Sequence, residues 1–224
     1  VARDPEKSGI LYDVHVTGTR NILAACLAKK VKDVVVVSTS GTIGVGEDPE
    51  FMATEASNTP WDLIGRWPYY ESKALAEREI HHFIQQGLPV RFARPTLLLG
   101  PGDHNASSTG DVAKFLSGEV KAALPGGISF VDVRDVASAL PALMSDGQPG
   151  VGYLMGAVNY SVRDFLIGLE QVSGVRAPAF VLPKSIVDRS HSLLKRISGL
   201  QWFGGLDPVT FEMGCHYWYI DSTR

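Results

Sequence analysis

Tyr69-Tyr70-Glu71-Ser72-Lys73 sets a phenol and an ammonium one helical turn apart, and Ser38-Thr39-Ser40 places three hydroxyls at the end of the valine run Val34 to Val37. If residues 69 to 86 are helical, Tyr69 and Lys73 share one face. A free phenol titrates near pH of about 10, and a neighbouring ammonium favours the phenolate, so the pair is equipped to move a proton near neutral pH. A hydroxyl from the strand end adds a hydrogen bond to a reacting oxygen that gains negative charge.

The elements that must hold these groups are legible in the hydrophobic pattern. Val34 to Val37 is a continuous β-branched run, which predicts a strand buried on both faces of a parallel sheet. A long polar loop follows. Residues 69 to 86 read as a helix ended by Gly87, and Val90 to Ala93 as the next strand, ended by Arg94-Pro95. Strand, helix and strand make a βαβ unit. Upstream, residues 17 to 30 place Ile22, Leu23, Cys26 and Leu27 at helical spacing, with Lys29 and Lys30 complementing the helix dipole. Downstream, a short helix is expected at Val112 to Ser117 and a strand at Ile128 to Phe130. Asp132 or Asp135 opens a helix over Val133 to Met144, with a kink or early end at Pro141. Tyr153 to Met155 reads as a strand, Ser161 as the cap of a helix reaching Val172, and residues 184 to 197 as an amphipathic helix.

Composition excludes several classes of function. The 224 residues are 45% hydrophobic with a net charge of -3, and the lysines and arginines form no basic stripe. Nucleic acid and an anionic membrane surface are therefore not the expected partners, and a small molecule is. No apolar run approaches the roughly 20 residues that span a bilayer. Cys26 and Cys215 stand far apart without metal-ligand spacing, in keeping with a reducing cytoplasm, and Cys26 is expected in the core. Gly41-Thr42-Ile43-Gly44-Val45-Gly46 lacks the helix start that a phosphate-binding loop needs, since Glu47-Asp48-Pro49-Glu50 follows it, and reads as a flexible loop. The six histidines form no ligand cluster, His81-His82 being solvated, and no Gly-x-Ser-x-Gly elbow is present.

Taken together, these motifs resemble the extended short-chain dehydrogenase/reductase superfamily, also called the NAD-dependent epimerase/dehydratase family. Thr17-Gly18-Thr19-Arg20-Asn21 is similar to the family's Asn-Val-x-Gly-Thr-x-Asn segment, and Arg94-Pro95-Thr96 through Gly100-Pro101-Gly102-Asp103 to its nicotinamide-flanking turn. Phe130 to Ala137 is similar to its substrate-domain signature, and Ser38-Thr39-Ser40-Gly41-Thr42 to the Ser-Ser-Ala-Gly-Thr of dihydroflavonol-reductase-like and hydroxysteroid-dehydrogenase-like members.

The resemblance implies an α/β fold: a Rossmann-like doubly wound parallel sheet, incomplete in its first strands, with a small C-terminal substrate-binding region. Residues 1–100 would be the latter part of the NAD(P)-binding domain and 101–224 mainly the substrate region, with 128–160 partly returning to the sheet. It also implies NAD or NADP as cofactor, hydride exchange with a carbonyl or alcohol of a small organic substrate, and a triad of Thr39, Tyr69 and Lys73. Ser40 is the alternative hydroxyl. By the same resemblance Ser38, Tyr69, Lys73 and Pro95, Thr96, Leu97 and Leu98 flank the cofactor. Ser40, Phe130, Asp132 and Arg134 face the substrate. His15 occupies a position where the family carries an asparagine that helps fix the lysine. A homodimer through the Tyr69 helix and a cytoplasmic location are implied as well. The family's Gly-x-x-Gly-x-x-Gly would lie upstream and a last helix downstream, so the chain reads as a fragment cut at both ends. Two other readings stand beside the reductase: a nucleotide-sugar epimerase or dehydratase that recycles its cofactor, and a non-catalytic dinucleotide-binding scaffold.

Overall fold

A computed structural model describes residues 8–184 and 208–223 of the chain. α1 (Ser8–Tyr12) runs through one π-helical turn, Asp13–Thr17, into α2 (Gly18–Ala28), and Lys30 at φ 54 ends it in the left-handed region. The expected apolar face of α2 is narrower than its spacing predicts. Leu23 is buried at 1% exposure, whereas Ile22 remains 65% exposed and Cys26 and Leu27 are half-buried. Among the described residues α2 packs on one side only, so a residue one step round the helix from Leu23 is exposed.

β1 (Val34–Val37) leads into a 3₁₀ turn at Ser40–Thr42, then α3 (Trp61–Ile64) and α4 (Pro68–Gln85). Pro68 stands at the first helical position, where a missing N–H costs no intrahelical bond. β2 (Val90–Pro95) is buried along its length, and β3 (Leu97–Leu99) follows after one residue. Next come α5 (Thr109–Leu116), β4 (Gly127–Asp132) and α6 (Val133–Asp146). α6 passes through Pro141 without ending there, its two halves held by buried Val136 and Leu143. β5 (Gly152–Met155), β6 (Val158–Ser161) and α7 (Val162–Ser173) complete the continuous part, with the Ser161 hydroxyl accepting from Asp164 N as an N-cap. α8 (Pro208–Met213) and β7 (Tyr217–Trp218) close the described chain. The helix expected at 184 to 197 falls almost wholly outside the described residues.

The strands form two sheets in an α/β, Rossmann-like arrangement. β1, β2 and β5 are parallel in that order, with Val36 beside Phe92 and Phe92 beside Gly152. Among the described residues β1 pairs on one edge only, and its valines are half-buried to exposed, Val37 at 43%. The expectation of a strand covered on both faces is therefore corrected: a β-branched run reports strand propensity, while coverage depends on neighbours. The second sheet is built round β4, which pairs in parallel with β3 and β7 and antiparallel with β6. Since β6 opposes both of the others, β3 and β7 lie end to end along one edge of β4.

Between α2, α4 and β2 sits a core of Leu23, Ile80, Phe83, Leu88, Val90 and Phe92. Each such side chain contributes about 1.5–3 kcal/mol when fully buried. A second core, Val45, Ile64, Trp67, Ala74 and Trp218, lies at the start of α4, with Tyr70 packed on it. The segment 41–45, expected to be flexible, is buried throughout. Gly41 permits this, because a Cβ there would stand 2.2 Å from the Tyr70 ring. No helix among the described residues is long and apolar enough to cross a membrane.

Candidate active site

Three segments meet the first turns of α4. From the π turn, the His15 ring stands edge-on to Tyr69 with centroids 5.5 Å apart, and its Nδ1 lies 2.9 Å from Ser72 Oγ. The Ser72 hydroxyl donates to the Tyr69 carbonyl at 2.9 Å, which spends its one proton. His15 Nδ1–H must then be the donor to Ser72, leaving Nε2 as an acceptor. Tyr12 donates to the Glu71 carboxylate and ties α1 to the same helix. From the other side, the 3₁₀ turn packs Gly41 against Tyr70, and Tyr70 lies 4.6 Å from the Trp218 ring.

Tyr69 and Lys73 are one turn apart on α4, as their spacing predicts. Neither the phenol oxygen nor the ammonium has a hydrogen-bond partner among the described residues, and both side chains are half-buried. Burial raises the Tyr69 pKa above the ordinary phenol value. The expectation that the lysine would govern this titration is therefore corrected: desolvation of the phenolate is the larger effect. Burial also lowers Lys73, opposed by the negative charge of Glu77. His15 is pushed down to about 4, first by burial and then by the positive charge of Lys73.

The hydroxyl cluster splits into distinct environments. Thr39 is half-buried and extended, φ -153, and its Oγ1 accepts from Gly41 N at 3.3 Å, which leaves its proton to donate. Ser40 is buried at 6% exposure. The Ser38 hydroxyl donates to Glu77 at 2.6 Å, turning it into the interior. Glu77 was not singled out by sequence, yet it is buried at 4% exposure and also accepts from Thr42 at 3.0 Å and from Arg94 at 3.0 and 2.7 Å. The signal was present: Glu77 is a charged residue on the stripe of Ala74, Ile80 and Phe83 that faces the core.

The remaining candidates form a second group. Thr96 continues β2 by donating from its N to the Met155 carbonyl at 3.0 Å, and Leu97 and Leu98 pair with Phe130 and Val131. Pro95 lies at the end of β2 beside Met155. Phe130 is buried and stacks on Phe165 at 4.3 Å. Asp132 caps α6 by accepting from Arg134 N at 2.8 Å, and it binds the Arg134 guanidinium at 2.9 and 2.5 Å. Arg134 thereby holds Asp132 down to about 2. The two groups of candidates are joined covalently where Arg94, bonded to Glu77, precedes Pro95. A cleft of about 760 Å³ on another flank of α4 is lined by Trp61, Glu77, Arg78, His81 and Arg94 among others, but not by Tyr69 or Lys73. Among the described residues, no cluster of His, Cys, Asp or Glu is arranged to hold a metal ion.

A family profile described as the NAD dependent epimerase/dehydratase family matches residues 1–156. The chain is 33% identical over 179 residues to a Synechocystis protein with a provisional dihydroflavonol 4-reductase name, covering 77% of this chain and 51% of that one. It spans about half the length of the curated relatives it matches, 51% and 56% for the first two. Among solved structures it superposes on gox2253 with a TM-score of 0.81 and 26% identity, over 99% of this chain and 67% of that one. The NAD complex of Thermus thermophilus UDP-glucose 4-epimerase matches with a TM-score of 0.63 and 25% identity, over 77% of this chain and 57% of that one.

Proposed function

The chain belongs to the NAD dependent epimerase/dehydratase family, and from that premise we propose that it acts in the NAD(P)-dependent reduction of small organic carbonyl compounds. One observation carries the reading: Tyr69 and Lys73 present donors that have no partner among the described residues on one face of α4, next to the turn that bears half-buried Thr39. Such a donor set fits a nicotinamide ribose and a carbonyl oxygen. Lys73, Pro95, Thr96, Leu97 and Leu98 would hold the nicotinamide end. The nicotinamide supplies the hydride when bound. Thr39 donates a hydrogen bond to the carbonyl oxygen, and Tyr69 delivers the proton that completes the alcohol as the hydride reaches carbon. A phenol whose pKa burial raises stays protonated at neutral pH, which suits the direction of reduction. Thr39 is preferred to Ser40 because Ser40 is buried while Thr39 is half-buried.

Residues 1–100 are assigned to the NAD(P)-binding part, and 101–224 mainly to the substrate region with 128–160 partly in the sheet. Phe130, Asp132 and Arg134 are the substrate-side candidates. A cytoplasmic homodimer through α4 is the proposed assembly, its mass in solution being the check. The similarity to a UDP-glucose 4-epimerase keeps a cofactor-recycling reading as the named alternative. Net oxidation of NADPH or NADH by added ketones supports the reductase; turnover without net loss of cofactor supports the epimerase, and binding without turnover the scaffold. Tyr69→Phe is expected to lower turnover by about 10²–10⁴-fold with cofactor binding nearly intact. Full turnover in that variant would remove Tyr69 from the mechanism.

A further inference from the structure

We infer that Glu77 is the positioning residue of this site: its buried carboxylate joins the hydroxyl-bearing turn, the strand end before Pro95 and the helix of Tyr69 and Lys73 into one unit, and places negative charge one turn from Lys73. The inference rests on the reading that Thr39, Tyr69 and Lys73 carry the chemistry.

A carboxylate on the core-facing stripe of a helix is costly unless it is paired and fully hydrogen-bonded. Glu77 meets both conditions. Its Oε1 accepts from Ser38 at 2.6 Å, Thr42 at 3.0 Å and Arg94 Nε at 3.0 Å, while Oε2 accepts from Arg94 Nη2 at 2.7 Å. The donors come from three places. Ser38 and Thr42 bracket Thr39, so both sides of the proposed hydroxyl donor are fixed to α4. The single Thr42 hydroxyl proton is shared between Glu77 Oε1 and the Thr39 carbonyl, each 3.0 Å away. Arg94 immediately precedes Pro95, and its guanidinium lies over the Phe92 ring at 4.8 Å. A planar fork with two bonds to one carboxylate leaves little angular freedom. Reacting groups must hold their geometry to within about 0.5 Å, and supporting bonds of this kind provide it.

Glu77 also stands four residues beyond Lys73, at the spacing that brings side chains together on a helix. Among the described residues, the charged or titratable groups that bear on Lys73 are His15 from the π turn and Glu77 from its own helix, with Tyr69 one turn before it. Glu77 favours the ammonium, whereas burial opposes it. This division separates a positioning role from a merely structural one, because a neutral isostere keeps the shape and removes the charge.

The test is to follow Lys73 in protein carrying ¹³C-methylated lysines, its resonance assigned with Lys73→Arg, and to titrate the wild type, Glu77→Gln and Glu77→Asp. In Glu77→Gln the amine is expected to titrate at lower pH than in the wild type, with Glu77→Asp returning it toward the wild-type curve. Superimposable curves in a folded Gln variant would overturn the inference. If the Gln variant does not fold, Glu77→Asp decides. It keeps the charge but shortens the reach to Ser38, so turnover should fall through kcat with KM little changed, and an unaltered kcat would overturn positioning. The Lys73 titration needs no turnover. A wild-type protein silent toward every carbonyl with NADH or NADPH would therefore count against the reductase reading alone.

Discussion

Two arginine–carboxylate pairs with nearly the same bonds sit in opposite surroundings. Glu77–Arg94 joins α4 to β2 with side chains 6% and 8% exposed, while Asp132–Arg134 lies at the start of α6 with side chains 31% and 74% exposed. In water an ion pair exchanges one set of good contacts for another, and its net worth is small. Where Glu77 and Arg94 sit, only a few per cent of each side chain reaches the cleft, so little water can replace the pair and removing one partner is costly. The buried pair therefore belongs to the architecture of the proposed site, and the exposed pair tunes one helix terminus.

The largest separation between the pairs should come from cutting each at one partner. Glu77→Ala leaves Arg94 buried and unmatched, and a loss of about 3–5 kcal/mol in urea unfolding is expected. A loss no greater than that of a surface substitution would show that water reaches the pair. Arg134→Ala should change the unfolding midpoint far less. Its effect should disappear at about 1 M salt, where the screening length is about 3 Å, while the Glu77 effect persists. Equal salt sensitivity would erase the distinction between the two regions.

The smallest effect is expected from acid. His15 is lowered from 6.5 to about 4 in the folded protein. The unfolded chain then binds a proton that the folded chain does not, so stability is full above 6.5 and declines as pH falls toward 4. Asp132, lowered from 3.8 to about 2, retains its contribution above 3.8 and loses it as pH falls through 2. Acid thus loosens the proposed site before the α6 cap. In His15→Asn, whose amide nitrogen takes the place of Nδ1 toward Ser72, the decline between 6.5 and 4 should flatten; an unchanged slope would place the titrating group elsewhere.

What the residues disclosed in advance follows from how local each relation is. Tyr69 and Lys73 are related by one helical turn, and Ser161 caps α7 three residues from its bond, so spacing was enough for both. Pairing of β1 with β2 was legible as a βαβ unit, whereas β5 was legible as a strand but not as the far neighbour of β2, because more than 50 residues separate the two. Glu77 was passed over because its donors lie in Ser38, Thr42 and Arg94, which only the folded chain assembles, although its place on a buried stripe marked it. Ile22 and Val37 misled for the complementary reason: periodicity shows which faces are apolar and not which of them acquires a neighbour. The direction of the Tyr69 shift was likewise hidden, since charge can be read from the chain and desolvation cannot.

The packing of Trp218 on Tyr70 bears on how the protein is made. A ribosome releases the start of α4 long before β7, so Tyr70 waits without Trp218 while the intervening chain is synthesised. Pairing of Gly46 with Tyr217 and of Ala53 with Ile220 imposes the same delay on the loop after β1. Contacts this distant in sequence form late and slowly. The packing beside the start of α4 is therefore completed only once residues 217–220 have been made, more than 140 residues after Tyr70.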